Sequence, residues 1–255
     1  MKTTMRGAGF TVMLACVAAC AHNNNNNNFK KATPQQRAVT DTQLSIEYMK
    51  LNRMAESREF IERALQEDPS NANVQLTSGV IYERLRENTL AEHGFSKAYS
   101  IGRKDPNIVN AYGTFLCRTG KAKDGEKLLI EAANDPVYPT PEIALVNAGQ
   151  CVRGAGNLVD AERYLNRALA IRPNLPEALL QLGNIAFDRG DAAEAASTVQ
   201  RYLAVNPPTP EILWLGFRAQ RKLGDKVAAA GFARRVQTEF PNSEQAQMMR
   251  SGVDR

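Results

Sequence analysis

The chain has 255 residues, 32 basic against 27 acidic side chains for a formal charge of +5, and 43% hydrophobic content. An excess of positive charge this small and this scattered excludes a dedicated nucleic-acid surface. The length suits one extended domain or two smaller ones.

Lys2 and Arg6 form a short basic start, and the apolar stretch from Phe10 to Ala19 is about half as long as a membrane span. That is a secretory signal pattern, so residues 1–19 are expected to be a signal peptide and the chain to be exported. Val17-Ala18-Ala19-Cys20 resembles a bacterial lipobox. Cys20 would then be the lipidated first residue of the mature protein. The alternative is an ordinary signal peptide cleaved at the same small residues. Two acyl chains already anchor a protein stably, at about 0.8 kcal/mol per buried CH₂. Ala21 stands where many inner-membrane lipoproteins carry aspartate, and that resemblance implies the periplasmic face of the outer membrane. The six asparagines from Asn23 to Asn28 cannot bury enough apolar surface to offset the entropy of ordering. Residues 20–37 are therefore expected to be a flexible tether with an end-to-end distance of roughly 20–25 Å.

From Ala38 the sequence repeats. Ser45, Gly79 and Gly113 are each 34 residues apart. After a two-residue insertion comes Gly149, followed by Gly183 and Gly216. Twelve residues beyond each stands another small residue: Ser57, Ala91, Gly125, Ala161, Ala195 and Ala228. Four further on stands an apolar one: Ile61, Phe95, Leu129, Leu165, Val199 and Phe232. Pro69, Pro173, Pro207 and Pro241 close units. This is the tetratricopeptide pattern, six times over. Paired small residues let two antiparallel helices approach closely, and stacking the pairs buries a continuous core. The expected fold is all-α, a right-handed solenoid of about twelve helices over residues 38–245, with residues 246–255 as a C-terminal tail.

The repeats carry no recognisable chemistry. His22 lies in the tether and His93 on a second helix, without a neighbouring histidine or cysteine at metal spacing. Gly154-Ala155-Gly156 falls in a turn between repeat helices, which explains it without a phosphate. The expectation is a scaffold that is not an enzyme, with no cofactor, metal, nucleic acid or small-molecule substrate. Of the four cysteines, Cys16 leaves with the signal and Cys20 takes lipid, which leaves Cys117 and Cys151 in an oxidising compartment. Counted from the glycine of each repeat, their positions differ by two residues, about 200° around a helix. Opposite flanks of neighbouring parallel helices face each other, so a disulfide across repeats three and four is expected. Two buried free thiols are the alternative.

Asn110-Ala111-Tyr112-Gly113-Thr114-Phe115-Leu116-Cys117, then Tyr138-Pro139-Thr140-Pro141, then Asn147-Ala148-Gly149-Gln150-Cys151 resemble the type IV pilus biogenesis and stability lipoprotein family, PilF/PilW. Ala111 departs from the second asparagine of many relatives. The resemblance implies an outer-membrane pilotin, held in the inner leaflet by its lipid, that brings the secretin subunit to that membrane and promotes its multimer. Lipidated repeat adaptors for peptidoglycan hydrolases or outer-membrane assembly factors share the architecture and are the alternative. In similar repeats the first helices line a concave groove. Carried onto this sequence, that places Ile46, Met49, Lys50, Leu76, Val80, Arg84, Asn110, Thr114 and Arg118 in the partner-binding groove, with Val146 and Arg153 from repeat four. The apolar members could equally be packing residues, and Asn110 could be structural.

Overall fold

The computed structural model describes residues 31–252. The signal segment, Cys20 and the asparagine run lie outside them. Among the described residues there are thirteen α-helices and no strand. Six hairpins come first: α1 (Pro34–Lys50) with α2 (Met54–Glu67), α3 (Ala72–Arg84) with α4 (Asn88–Gly102), and α5 (Pro106–Arg118) with α6 (Ala122–Ala133). They continue as α7 (Pro141–Gly154) with α8 (Leu158–Ile171), α9 (Pro176–Asp188) with α10 (Ala192–Val205), and α11 (Pro210–Leu223) with α12 (Lys226–Glu239). A further helix, α13 (Glu244–Ser251), packs on α11 and α12. The sequence suggested about twelve helices followed by a C-terminal tail over residues 246–255. Ser243 supplies the missing signal, since its hydroxyl accepts from the Ala246 amide and caps α13. Buried Ala246 then covers the last repeat where a seventh would otherwise stack.

The helix starts follow from local chemistry. Thr33 accepts from the Gln36 amide while the Gln36 side chain accepts from the Thr33 amide, a capping box with Pro34 at the first helical position. Helix α1 therefore begins four residues before the expected edge of the tether. Asn71, Asp105, Asn157, Asp191, Thr209 and Asp225 cap later helices in the same way. Prolines open α5, α7, α9 and α11.

Repeats two, three, four and six close on the contact that the spacing anticipated, whereas a Cβ on Gly183 of repeat five would stand nearest Leu215 and Thr198 rather than Val199. A Cβ placed on Gly79 would stand 2.9 Å from the Phe95 ring, and one on Gly216 would stand 2.7 Å from Phe232. In repeat one both small positions are serines, and the Ser57 hydroxyl donates to the Ser45 carbonyl at 2.8 Å. Burying two hydroxyls is tolerated because each is bonded. The phenyl rings of Phe95 and Phe115 stack across repeats two and three, 4.7 Å between centroids, and both are fully buried.

One position in the turn of every repeat requires a left-handed backbone: Asn52, Arg86, Gly120, Gly156, Gly190 and Gly224, at φ between 57° and 95°. Four are glycine, which adopts it freely, and asparagine tolerates it. Arg86, at φ 61°, is the exposed exception. Arg86→Gly should raise stability by about 1 kcal/mol, and the thermal midpoint by roughly 2–4 °C for a chain of this size. An unchanged or lower midpoint would show that the turn carries no strain.

Candidate functional site

The expected groove residues are all on first helices, but they are not gathered into one recess. Met49 packs into the cluster of Ala38, Ile61, Ala64, Val74 and Ile81. Leu76 and Val80 are half-buried against Tyr82, Phe95 and Phe115. Val146 is buried in the large cluster of the later repeats. Ile46 is half-buried, and Lys50 and Arg84 are exposed. The apolar set thus lies in the seams between helices, where first helices must pack on their neighbours.

The polar members form ties between repeats. Arg118 reaches back to Glu83 with two bonds of 2.7 and 2.6 Å, and Arg84 donates to the Met49 carbonyl at 3.1 Å. Arg153 binds Asp188 at 2.5 Å and Gln181 at 3.3 Å. Its Nε is buried and unpartnered. Asn147 donates its amide to the Asn110 side-chain oxygen at 3.0 Å, and Thr114 donates to the Asn110 carbonyl at 2.7 Å. Asn110 is therefore fixed between repeats three and four. Exposed bidentate pairs of this kind contribute little net stability, about 1 kcal/mol or less each, but they set the angle between neighbours.

The best-formed recess lies at this junction. A cavity of about 350 Å³ is lined by Thr114, Cys117, Arg118, Asn147, Gln150 and Cys151, among others. A second, of about 490 Å³, adjoins it through Gln150 and Gly154 and adds Arg153, Gln181 and Asp188. Thr114, Arg118 and Arg153 were legible in the sequence; Asn147, Gln150 and Gln181 were not. Gln150 stands one residue after the glycine of its repeat, as Thr114 and Val80 do, so the same periodicity carries its signal. Asn147 and Gln181 lie two residues before theirs, outside the set of expected groove positions.

Cys117 and Cys151 come together in the wall of the first recess, with sulfurs 2.02 Å apart and Cα atoms separated by 5.3 Å. Their placement explains Gly125, which stands where four other repeats carry alanine. A Cβ there would collide with the Cys117 sulfur and approach the Gly113 carbonyl to 2.6 Å.

Burial first, and the charges of Glu62 and Glu92 next, push the Tyr82 and Tyr112 phenols above their ordinary value. Among the described residues no group of three His, Cys, Asp or Glu side chains could hold a metal ion. No described helix is long and apolar enough to cross a membrane.

Hairpins of this repeat length, with a small-residue seam and a polar inner surface, define a tetratricopeptide-repeat protein. Residues 42–71, 153–221 and 212–243 match family models of the tetratricopeptide repeat. The type IV pilus assembly protein PilF of Pseudomonas aeruginosa is 21% identical over 201 residues, 79% of this chain and 80% of its own. The crystal structure of PilW, a widely conserved type IV pilus biogenesis factor, superposes with a TM-score of 0.74 at 34% identity. That match covers 84% of this chain and 98% of PilW. The structure of Pseudomonas aeruginosa PilF superposes at 0.68 with 20% identity, covering 86% and 99%. The chain belongs to the PilW/PilF family of tetratricopeptide-repeat proteins of type IV pilus biogenesis.

A bond between Cys117 and Cys151 closes a loop with a sequence separation of 34, which constrains the unfolded chain by about 4 kcal/mol in the entropic account. Reduction should add two hydrogens to the intact mass and lower the denaturant midpoint markedly. Complete labelling of both thiols in denatured, unreduced protein would rule the bond out.

Proposed function

We propose that this protein is an outer-membrane lipoprotein acting as pilotin for the type IV pilus secretin. In this reading residues 1–19 direct export, Cys20 carries the lipid, and the asparagine-rich segment up to Thr33 tethers the repeats beneath the membrane. The repeats bind the secretin subunit and favour its multimer at the outer membrane. The observation that carries the reading is the 34% identity to PilW across 98% of that chain. The capping box at Thr33 supports it, because a tether that ends at a defined helix start fixes where the cargo hangs. Exposed Lys50 and Arg84, next to half-buried Ile46, Leu76 and Val80, suit an amphipathic helix or an extended acidic segment.

Two experiments test the halves of this proposal separately. Cys20→Ser should move the mature protein from the outer-membrane fraction to the soluble periplasm, with the secretin multimer at the outer membrane falling in parallel. Continued sedimentation with membranes would remove Cys20 as the anchor. For the groove, aspartates at Leu76 and Val80 would bury charge against Phe95 and unfold the repeat, so exposed positions serve better. Lys50→Glu with Arg84→Glu should leave the circular dichroism intact and weaken secretin capture about tenfold or more, as two lost surface ion pairs plus repulsion would. Unaltered capture by that folded variant would move the site away from the first two repeats.

A further inference from the structure

The groove arginines of the middle repeats are matched by carboxylates: Arg118 by Glu83, and Arg153 by Asp188. Repeat six departs from this. Residues Trp214, Phe217, Arg218, Arg221 and Lys222 are spaced i, i+3, i+4, i+7 and i+8, one stripe of α11, while the buried residues Ile212, Leu213, Leu215, Gly216 and Ala219 lie between them. Trp214 and Phe217 stand 5.4 Å apart between centroids, and the Arg221 guanidinium lies 5.3 Å from the Phe217 ring. Phe187 of α9 completes the patch, with Arg218 at 4.0 Å and Lys222 at 5.2 Å from its centroid. Arg218 and Lys222 form no ion pair with any described carboxylate. The acids close in sequence are engaged: Asp188 holds Arg153, and Asp225 caps α12 through the Ala228 amide at 2.9 Å. Resting on an aromatic face holds a cation in place but leaves its charge uncompensated.

We propose that this stripe is a second docking site, distinct from the groove of the early repeats and independent of the pilotin reading, for an extended acidic segment of a partner protein. The spacing selects the occupant. Arg218 and Lys222 are four residues apart, about 6 Å of helix rise. Alternate side chains of an extended peptide project from one face about 6.7 Å apart. Two acidic residues separated by one residue therefore meet both cations. A further step of two residues carries the peptide over Trp214 and Phe217, where an apolar side chain gains ring contact. The sequence so defined is apolar-x-acidic-x-acidic. Both rings are half-buried and do not project as a wedge into lipid would, which favours a peptide over a bilayer surface.

Trp214 is the chain's single tryptophan, so its emission reports occupancy directly. The probe is a short synthetic peptide with a Leu-Ser-Glu-Ser-Glu core, titrated into the folded repeat protein at low salt. A saturable emission change is expected. It should weaken about tenfold when both glutamates are replaced by glutamine, when the protein carries Arg218→Gln with Lys222→Gln, or when salt is raised to screen the charges. Should the double variant lose helical circular dichroism, Lys222→Gln alone, at an exposed position, should still weaken the response severalfold. No saturable change, or equal binding of the glutamine peptide, would overturn the proposal. So would an emission change with phosphatidylglycerol vesicles and none with the peptide, which would make this face a lipid contact.

Discussion

In four of the six repeats the contact between the glycine of the first helix and the apolar residue sixteen positions later sets the distance between paired helices, and the remaining geometry follows from that distance. Gly79 under Phe95, Gly149 under Leu165 and Gly216 under Phe232 leave less than van der Waals room for a single added methyl. A ring or branched side chain can then fill the seam without holding the backbones apart. Because the helices are close, residues one turn along from the contact fall at the edges of the hairpin. Those edges are what successive repeats use for stacking. Ser45 replaces glycine in repeat one at the cost of a hydroxyl that must be bonded, and its donation to the Thr42 carbonyl at 2.6 Å meets that requirement.

With the hairpin fixed, the inner surface is a row of first-helix positions whose chemistry varies from repeat to repeat while the backbone does not. Its first two repeats present half-buried apolar side chains with Lys50 and Arg84. Its centre presents amides and hydroxyls, Thr114, Asn147 and Gln150, around a recess. Its last repeat presents aromatic rings with Arg218 and Lys222, which pair with no described carboxylate. Arginines of the centre are bound to acids from neighbouring first helices, and those pairs hold repeat angles at the expense of ligand attraction. A cation already satisfied by a carboxylate has little to offer an acidic partner, because the partner must first displace the resident charge. Lys50 is likewise paired with Glu47 and Arg84 with the Met49 carbonyl, so the charge left for recognition gathers at Arg218 and Lys222 of the last repeat.

Much of the framework was legible in the sequence because a tetratricopeptide unit repeats its constraints. Six copies of Gly or Ser at one position, small residues twelve later and apolar ones at sixteen are more than any single element could signal. The helix at Glu244–Ser251 was not legible. It has no repeat partner, and its evidence is one cap at Ser243 and one buried alanine. Repetition also concealed function. Leu76 and Val80 occupy positions that line grooves in similar proteins, yet the same positions pack neighbouring first helices, and here packing covers most of each side chain. Asn110 could be read as either structural or ligand-binding until its bond to Asn147 assigned its side-chain oxygen. The stripe on α11 was missed because aromatic residues at helical spacing are the usual mark of a core. Only the geometry separates Trp214 and Phe217, half-buried with their rings in contact, from the fully buried Leu213 and Leu215 beside them.

The junction between repeats three and four shows how an insertion can be absorbed without loosening the stack. The connection from α6 to α7 runs through residues 134–140, longer than the others, and extra length at a junction would ordinarily free one half of the solenoid to move against the other. Here the added residues are used. Tyr138 is buried against Val109, Leu116 and Leu128, and α6 and α7 pack more extensively than any other pair of helices that joins successive repeats. The Asn110–Asn147 bond and the cysteine pair tie α5 to α7 on the other side. Two independent attachments at one junction oppose the hinge that a longer loop would create. The two docking sites proposed above would then keep a fixed separation, and a partner touching both would gain from that spacing without having to order the scaffold first.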